Sequence, residues 1–150
     1  MRPLRASSLA PLGWLLVVGV AALLRLSNPS LVEFKYDEAS VARLADLLVH
    51  RGTAPATSIV TSAGVQNSPL AIYLLAPAAL ASWRPEVLTG YVGLLNIVAV
   101  ALTGLMVARY WGARAGIASG LLYAAAPLAV QYSRKTVSYT HLTLPTILRV

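Results

Sequence analysis

Three long stretches without a charged residue place the strongest limit on how this 150-residue chain folds. They cover residues 6–24, 87–108 and 115–133 and are 19, 22 and 19 residues long. A helix needs roughly 20 predominantly apolar residues to cross the hydrocarbon core of a bilayer. The spacing therefore predicts an all-α, polytopic membrane protein with three transmembrane helices.

The composition of the whole chain is also typical of a membrane protein. Hydrophobic residues make up 57% of it, charged residues 11%, and the mean hydropathy is +0.69, whereas a soluble domain is about half apolar and one-quarter charged. The net charge of +7 comes from basic residues scattered singly or in pairs, without the basic stripe that binds nucleic acid. We therefore expect a lipid bilayer, and no nucleic acid, as a partner.

Thiol and metal chemistry have little support in the residues. The chain contains no cysteine and two histidines, His50 and His141, which lie far apart. Without cysteine there is neither a disulfide nor a thiol nucleophile. The histidines lack the spacing of a ligand pair, so the residues predict no metal site.

The N-terminal residues MRPLR are basic, as in the first part of a signal peptide. The apolar stretch that follows runs on through WLLVVGVAALLRL without a small-x-small cleavage site, which favours an uncleaved signal-anchor. With that anchor as the first span, we expect a cytoplasmic N-terminus and a first loop on the outer side.

A fourth apolar run, Pro69 to Ala81, is 13 residues long and contains Pro77. A run of this length lies at the membrane interface or in a re-entrant position more often than across the bilayer. We therefore expect it to stay in the first outer loop. A fourth span would instead place every later loop on the other side.

The outer loop also contains the pattern of an amphipathic helix between Asp37 and Gly52. Apolar residues recur at i, i+3, i+4 and i+7 and polar residues take the other side: Val41, Leu44, Ala45 and Leu48 against Ser40, Arg43, Asp46 and His50. We expect this helix to lie on the membrane surface. Asp37 stands where an N-cap accepts backbone N–H groups, and Gly52 where a left-handed C-cap is favoured. Asp37 is therefore either a helix cap or a catalytic group.

The order of these segments resembles the N-terminal part of a membrane glycosyltransferase. A basic N-terminus and a first span are followed by YDEAS at the start of a surface helix, by NSPLAIYLL, and by the closing AAAPLAVQYSRK. N-x-P-L before one apolar helix and A-x-P-x-x-x-x-Y-S-R-K at the end of another recur in the GT-C superfamily, among relatives of protein O-mannosyltransferases and aminoarabinose transferases. The similarity covers about residues 10–135.

This resemblance implies an enzyme of a bacterial-type plasma (inner) membrane that transfers a sugar from a polyprenyl-phosphate carrier to an acceptor on the non-cytoplasmic face. In the family the first outer loop supplies an Asp, often from an Asp-Glu pair, as the catalytic base, which by position is Asp37. A carboxylate suits this step because the acceptor hydroxyl must lose its proton as it attacks the anomeric carbon. Neighbouring helical residues point about 100° apart, so Glu38 either supports Asp37 or faces solvent. The resemblance identifies no certain cofactor and leaves a divalent metal open.

Arg134 and Lys135 lie at the end of the third predicted span. Negative charge accumulates on the leaving phosphate in the transition state, so these two residues are candidates for binding the substrate. The other interpretation is that they are ordinary interfacial residues whose side chains reach lipid headgroups. With three spans they emerge on the same side as Asp37, as a shared active site requires.

Other features of the spans have structural interpretations. Gly116-x-x-x-Gly120 has the spacing that lets two helices pack closely. Aromatic residues near the ends of the spans are typical of a belt at the membrane interface: Tyr73, Trp83, Tyr110, Trp111 and Tyr132.

Two other classes of protein stay open. Prolines also interrupt the broken helices of transporters, with Pro77 as the local example. A transporter more often carries ionisable residues within its spans, and the three uncharged stretches have none. The chain also fits a small non-catalytic membrane subunit.

The C-terminal stretch TVSYTHLTLPTILRV continues neither a helical period nor the family pattern and resembles a translated sequencing adapter. We expect residues 1–135 to form the N-terminal part of a GT-C-like transmembrane domain and residues 136–150 to be a non-native, disordered tail. Such a fragment carries the proposed base but lacks most of the donor site, so we expect it to be inactive alone.

Overall fold

The structure, a computed structural model, describes residues 10–27, 34–60, 64 and 66–135. The regular elements in these ranges are six helices: α1 (Ala10–Leu26), α2 (Tyr36–Arg51), α3 (Leu70–Ala81), α4 (Pro85–Trp111), α5 (Ala113–Ala125) and α6 (Pro127–Ser133). The predicted all-α class is confirmed for this part of the chain. The predicted tail, residues 136–150, lies outside the described residues.

Helices α1, α4 and α5 form a bundle in which α4 runs opposite to its neighbours. Trp14, near the beginning of α1, lies beside Gly104 in the second half of α4, whereas Leu26, at the end of α1, lies beside Gly93 in the first half. A turn at Gly112, where φ is +90°, reverses the chain from α4 into α5. The bundle therefore has one end at which α1 stops and α4 starts.

Small residues allow these helices to approach closely. A Cβ atom added to Gly116 would lie 2.5 Å from the Cβ of Ala108 and 2.6 Å from the carbonyl oxygen of Gly104. A Cβ added to Gly120 would lie 2.9 Å from Cγ1 of Val17. The close packing predicted for Gly116 and Gly120 is thus confirmed, with Gly116 against α4 and Gly120 against α1. The core cluster of the bundle consists of Val17, Ala21, Val100 and Ala124, and Ala108 is also buried.

The helices differ in their capacity to cross a bilayer. α4 has 27 residues, a length of about 40 Å at 1.5 Å per residue, and is apolar enough to span. α1 has 17 described residues. α5 and α6 together have the length and composition of a span but are bent by 62° at their junction. One helix is therefore clearly membrane-capable, and three spans remain a prediction.

The bend between α5 and α6 has its cause in Pro127. Proline has no N–H to donate to the preceding turn and its ring clashes there, so α5 ends at Ala125 and α6 begins at Pro127. Pro77, the residue expected to interrupt a helix, lies inside the continuous helix α3. Proline therefore breaks the third uncharged stretch, at Pro127, and does not break the shorter apolar run from Pro69 to Ala81.

Helices α2 and α3 form a second apolar cluster with the beginning of α4. Its buried members are Val41, Ala42 and Ala45 of α2, Ile72, Leu75, Ala78 and Ala79 of α3, and Leu88 of α4. The predicted apolar face of α2 is confirmed, as is its left-handed C-cap at Gly52, with φ of 64°. That face packs on α3, however, in a cluster that also contains Leu88 of α4. The expectation that α2 rests on the membrane through this face is therefore wrong, because protein covers it.

Candidate functional site

The acidic pair Asp37 and Glu38 lies in the first turn of α2. The N-cap of this helix is Lys35, whose backbone is extended, and Asp37 follows as the second helical residue. The carboxylate of Glu38 reaches back and accepts the backbone N–H of Lys35, with an N–Oε2 distance of 2.6 Å. The interpretation of Asp37 as the N-cap is therefore wrong. Glu38 makes the capping bond.

The two carboxylates also differ in burial, as neighbouring positions on a helix permit. Glu38 is 3% exposed, so the option that it faces solvent is wrong. Asp37 is half-buried and lies near the positive end of the helix dipole, which favours a carboxylate. The carboxylate of Glu38 is thus buried and hydrogen-bonded to the backbone at the start of α2. Asp37 is the member of the pair that solvent can reach.

Arg134 and Lys135 follow α6 and are both half-buried. Arg134 donates from Nη2 to the carbonyl oxygen of Ser27, 2.8 Å away, just beyond the end of α1. This bond ties the end of α6 to the end of α1. Phosphate binding by Arg134 or Lys135 remains a prediction.

The predicted site residues share one end of the bundle but belong to different layers. α2 and α3 pack on Leu88 at the beginning of α4, and Gly93, a little further along α4, lies beside the end of α1. Asp37 is therefore part of the α2–α3 layer, while Arg134 sits with α1 and α6. The layer that contains Asp37 and the end of α1 that Arg134 contacts both adjoin the first part of α4.

A further charged residue, Arg25, lies inside the bundle and is 3% exposed. Its Nη1 donates to the carbonyl oxygen of Ala124 at 2.9 Å and its Nη2 to that of Tyr123 at 3.4 Å. Both carbonyls belong to the last turn of α5, where a helix leaves its carbonyls without the usual donors. A cation is also favoured at this end of a helix by the dipole. Within the described part of the chain, the buried Nε of Arg25 has no hydrogen-bond partner.

In the sequence alone, Arg25 marks only the boundary of the first uncharged stretch. Two signals in the sequence point to its role. Pro127, inside an apolar stretch, predicts a helix end with unpaired carbonyls, and Arg25, at the end of another apolar stretch, supplies the donors. That the two meet depends on how α1 and α5 pack, which the sequence does not specify.

The described residues do not form a metal site. Among them, no group of three or more His, Asp or Glu side chains is close enough to hold an ion. Mg²⁺ is usually held through one or two carboxylates together with waters and substrate phosphates, so an ion at Asp37 would take its other ligands from water and from the donor phosphate. Of the protein groups named as site residues, Asp37 supplies a carboxylate able to accept a proton, and Arg134 and Lys135 supply a guanidinium and an ammonium group.

No protein-family model, curated protein or solved structure matches this chain.

Proposed function

We propose that the protein crosses a bilayer three times, through α1, α4 and the broken pair α5–α6. The support comes from where the large apolar side chains lie. Only 22% of the most apolar stretch of α4 is buried inside the protein, whereas the core helix of a soluble protein is mostly buried. Large apolar residues are exposed along α1 and α4: Leu12, Leu15, Leu16, Leu23, Leu94, Val98, Leu102, Leu105 and Met106. Small residues between helices and large ones outside are typical of helices packed in lipid.

The directions of the helices agree with this topology. α1 and α4 run opposite to each other, and the turn at Gly112 brings α5 back. A cytoplasmic N-terminus then places Arg109 and Arg114 on the cytoplasmic side, as expected for loops rich in Arg and Lys. It places Asp37 and Arg134 on the outer side.

Given this topology, we propose that the protein takes part in glycosyl transfer. The donor is a polyprenyl-phosphate-linked sugar, and Asp37 is the general base. The observation that carries the proposal is the division of roles within the acidic pair. Glu38 is buried and bonded to the N–H of Lys35, while Asp37 is half-buried in the first turn of α2, whose layer packs on the first part of α4. A base needs a carboxylate that a substrate can reach, and Asp37 meets that condition.

In the proposed reaction, Asp37 removes the proton of an acceptor hydroxyl as its oxygen attacks the anomeric carbon of the donor sugar. The bond between that carbon and the phosphate oxygen breaks. Polyprenyl phosphate leaves with the electron pair, and the positive charges of Arg134 and Lys135 stabilise the negative charge that develops on it.

A transporter is the second candidate, and a specific observation favours it. Broken helices often form the substrate sites of transporters, and α5–α6 is a broken helix with the buried Arg25 at its junction. The last carbonyl oxygens of α5 already accept hydrogen bonds from Arg25, so their role in this structure is to hold α1 and α5 together. We therefore prefer glycosyl transfer.

The two candidates differ in what happens to a lipid-linked sugar. The protein expressed from its native gene is reconstituted in vesicles with polyprenyl-phosphate sugars that carry a radiolabel on the sugar, together with an acceptor extract. We expect release of free polyprenyl phosphate and transfer of label to an acceptor. Uptake of a solute without cleavage of the donor would support a transporter, and neither activity would support a non-catalytic subunit.

A further inference from the structure

The helix α3 is apolar on all sides. Its sequence, LAIYLLAPAALA, contains no charged residue. In the described part of the chain, one side packs into the hydrophobic cluster with α2 and α4, and on the other side Tyr73 donates its hydroxyl to the carbonyl oxygen of Pro55. The opposite side carries Leu70, Tyr73, Leu74 and Leu80, which are 61%, 43%, 50% and 69% exposed. A surface helix that meets water normally carries polar residues on its outer side.

The neighbouring helix α2 has the opposite character on its outer side. Arg43 and His50 are exposed, and His50 Nδ1 lies 2.9 Å from a carboxylate oxygen of Asp46. Because the apolar face of α2 packs on α3, the α2–α3 pair presents one polar side and one apolar side.

We infer that α3 inserts into the outer leaflet of the bilayer through Leu70, Leu74 and Leu80, and that α2 is held above it on the aqueous side. The inference rests on the proposed crossing of the membrane by α4. It reverses the sequence-based expectation for α2, because α3 supplies the surface that lipid contacts.

The link between α3 and α4 identifies lipid as the occupant of this surface. Residues 82–84 are all that separate α3 from the membrane-capable helix α4, so the exposed Leu80 is followed closely in the chain by the exposed Val87 and Leu94. Trp83, 67% exposed, and the exposed Arg84 lie in that link. Tryptophan and arginine are the residue types that hold a helix at the boundary between lipid and water. The start of α2, with Asp37, is then held at the membrane surface by α3.

The absence of cysteine from the chain makes the inference directly testable. Single cysteines at Leu74, Leu80, Arg43 and Val98 are labelled with an environment-sensitive fluorophore, and the full chain is reconstituted in phosphatidylcholine vesicles. Bromine on the acyl chains quenches probes within the leaflet, and iodide quenches probes in water. We expect bromolipid quenching and a blue shift for L74C and L80C, and iodide quenching for R43C.

Val98, exposed in the middle of α4, separates this inference from the membrane assignment itself. Bromolipid quenching of V98C without quenching of L74C and L80C would overturn the position of α3 and leave the crossing of α4 intact. Iodide quenching of V98C would overturn both. Cross-linking of L74C between copies in the vesicle, with exclusion of bromolipid, would assign this surface to a second copy and also contradict the inference.

Discussion

The side chain of Arg25, at the end of α1, donates a 2.9 Å hydrogen bond to the carbonyl oxygen of Ala124 at the end of α5. A second bond runs the other way between the same two regions, from Arg134 after α6 to the carbonyl of Ser27 after α1. Each arginine therefore satisfies backbone carbonyls of the other segment. The broken helix α5–α6 is held to α1 on both sides of its junction.

Replacing Arg25 by methionine is expected to destabilise the protein by about 1–3 kcal/mol, because the carbonyl oxygen of Ala124 loses the donor that Arg25 supplies. Arg25→Lys should recover part of this loss, since an ammonium group keeps the charge but not the planar set of donors. The measurement is unfolding of the detergent-solubilised chain. Arg43→Met, on the exposed side of α2, is the control. Equal stability of the Arg25→Met and Arg43→Met variants would contradict the role of Arg25.

The packing of α5 on α4 predicts a contrast between two glycines. A Cβ at Gly116 would lie 2.5 Å from the Cβ of Ala108, whereas a Cβ at Gly19 would meet nothing within 4 Å. Gly116→Ala should cost about 1–3 kcal/mol through overpacking. Gly19→Ala should be neutral or stabilise by up to about 1 kcal/mol, because alanine favours a helix. Melting temperatures that fall equally for both variants would rule out the close approach of these helices.

The capping bond of Glu38 predicts an effect on the first turn of α2. Glu38→Ala leaves the N–H of Lys35 without its acceptor and should cost about 0.5–2 kcal/mol. Glu38→Gln retains an acceptor oxygen and should cost less. Amide hydrogen exchange at the start of α2 is expected to accelerate in Glu38→Ala and to change little in Asp46→Asn. Unchanged exchange in Glu38→Ala would show that Glu38 does not hold this turn.

Three crossings predict which single cysteines a membrane-impermeant reagent reaches. Cysteines at Ser68 and Ser82, which flank α3, should both be labelled from the outer side. A cysteine at Arg114, beyond the other end of α4, should react only after the vesicles are permeabilised. Protection of Ser82→Cys with labelling of Ser68→Cys would mean that α3 crosses the membrane, which requires four spans.

The parts of the fold that follow from local patterns were predictable from the sequence. The period of apolar residues in α2 identified its buried face, and Gly52 its end, because both depend on neighbouring residues alone. The glycine spacing at Gly116 and Gly120 identified a packing surface. Counting uncharged residues found the apolar stretch that became α4.

The parts that depend on packing between distant segments were not predictable. Asp37 and Glu38 are both favourable in the first turn of a helix. The sequence alone does not show which of the two carboxylates accepts the N–H of Lys35. The apolar face of α2 suggested a contact with lipid because the sequence does not reveal that α3 covers it. The absence of charge in residues 115–133 predicts one continuous helix, whereas Pro127 predicts a break within it. Charge counting alone does not detect this break.

The proposed role of Asp37 is tested most directly by the rate at which the protein from its native gene releases polyprenyl phosphate from the lipid-linked sugar. Asp37→Asn keeps the size of the side chain but cannot accept the proton, so we expect a folded protein whose rate falls by a factor of about 10²–10⁴. Glu38→Gln should lose less activity, and Asp46→Asn, on the outer side of α2, should retain the original rate. A rate for Asp37→Asn equal to that of Asp46→Asn would contradict the account.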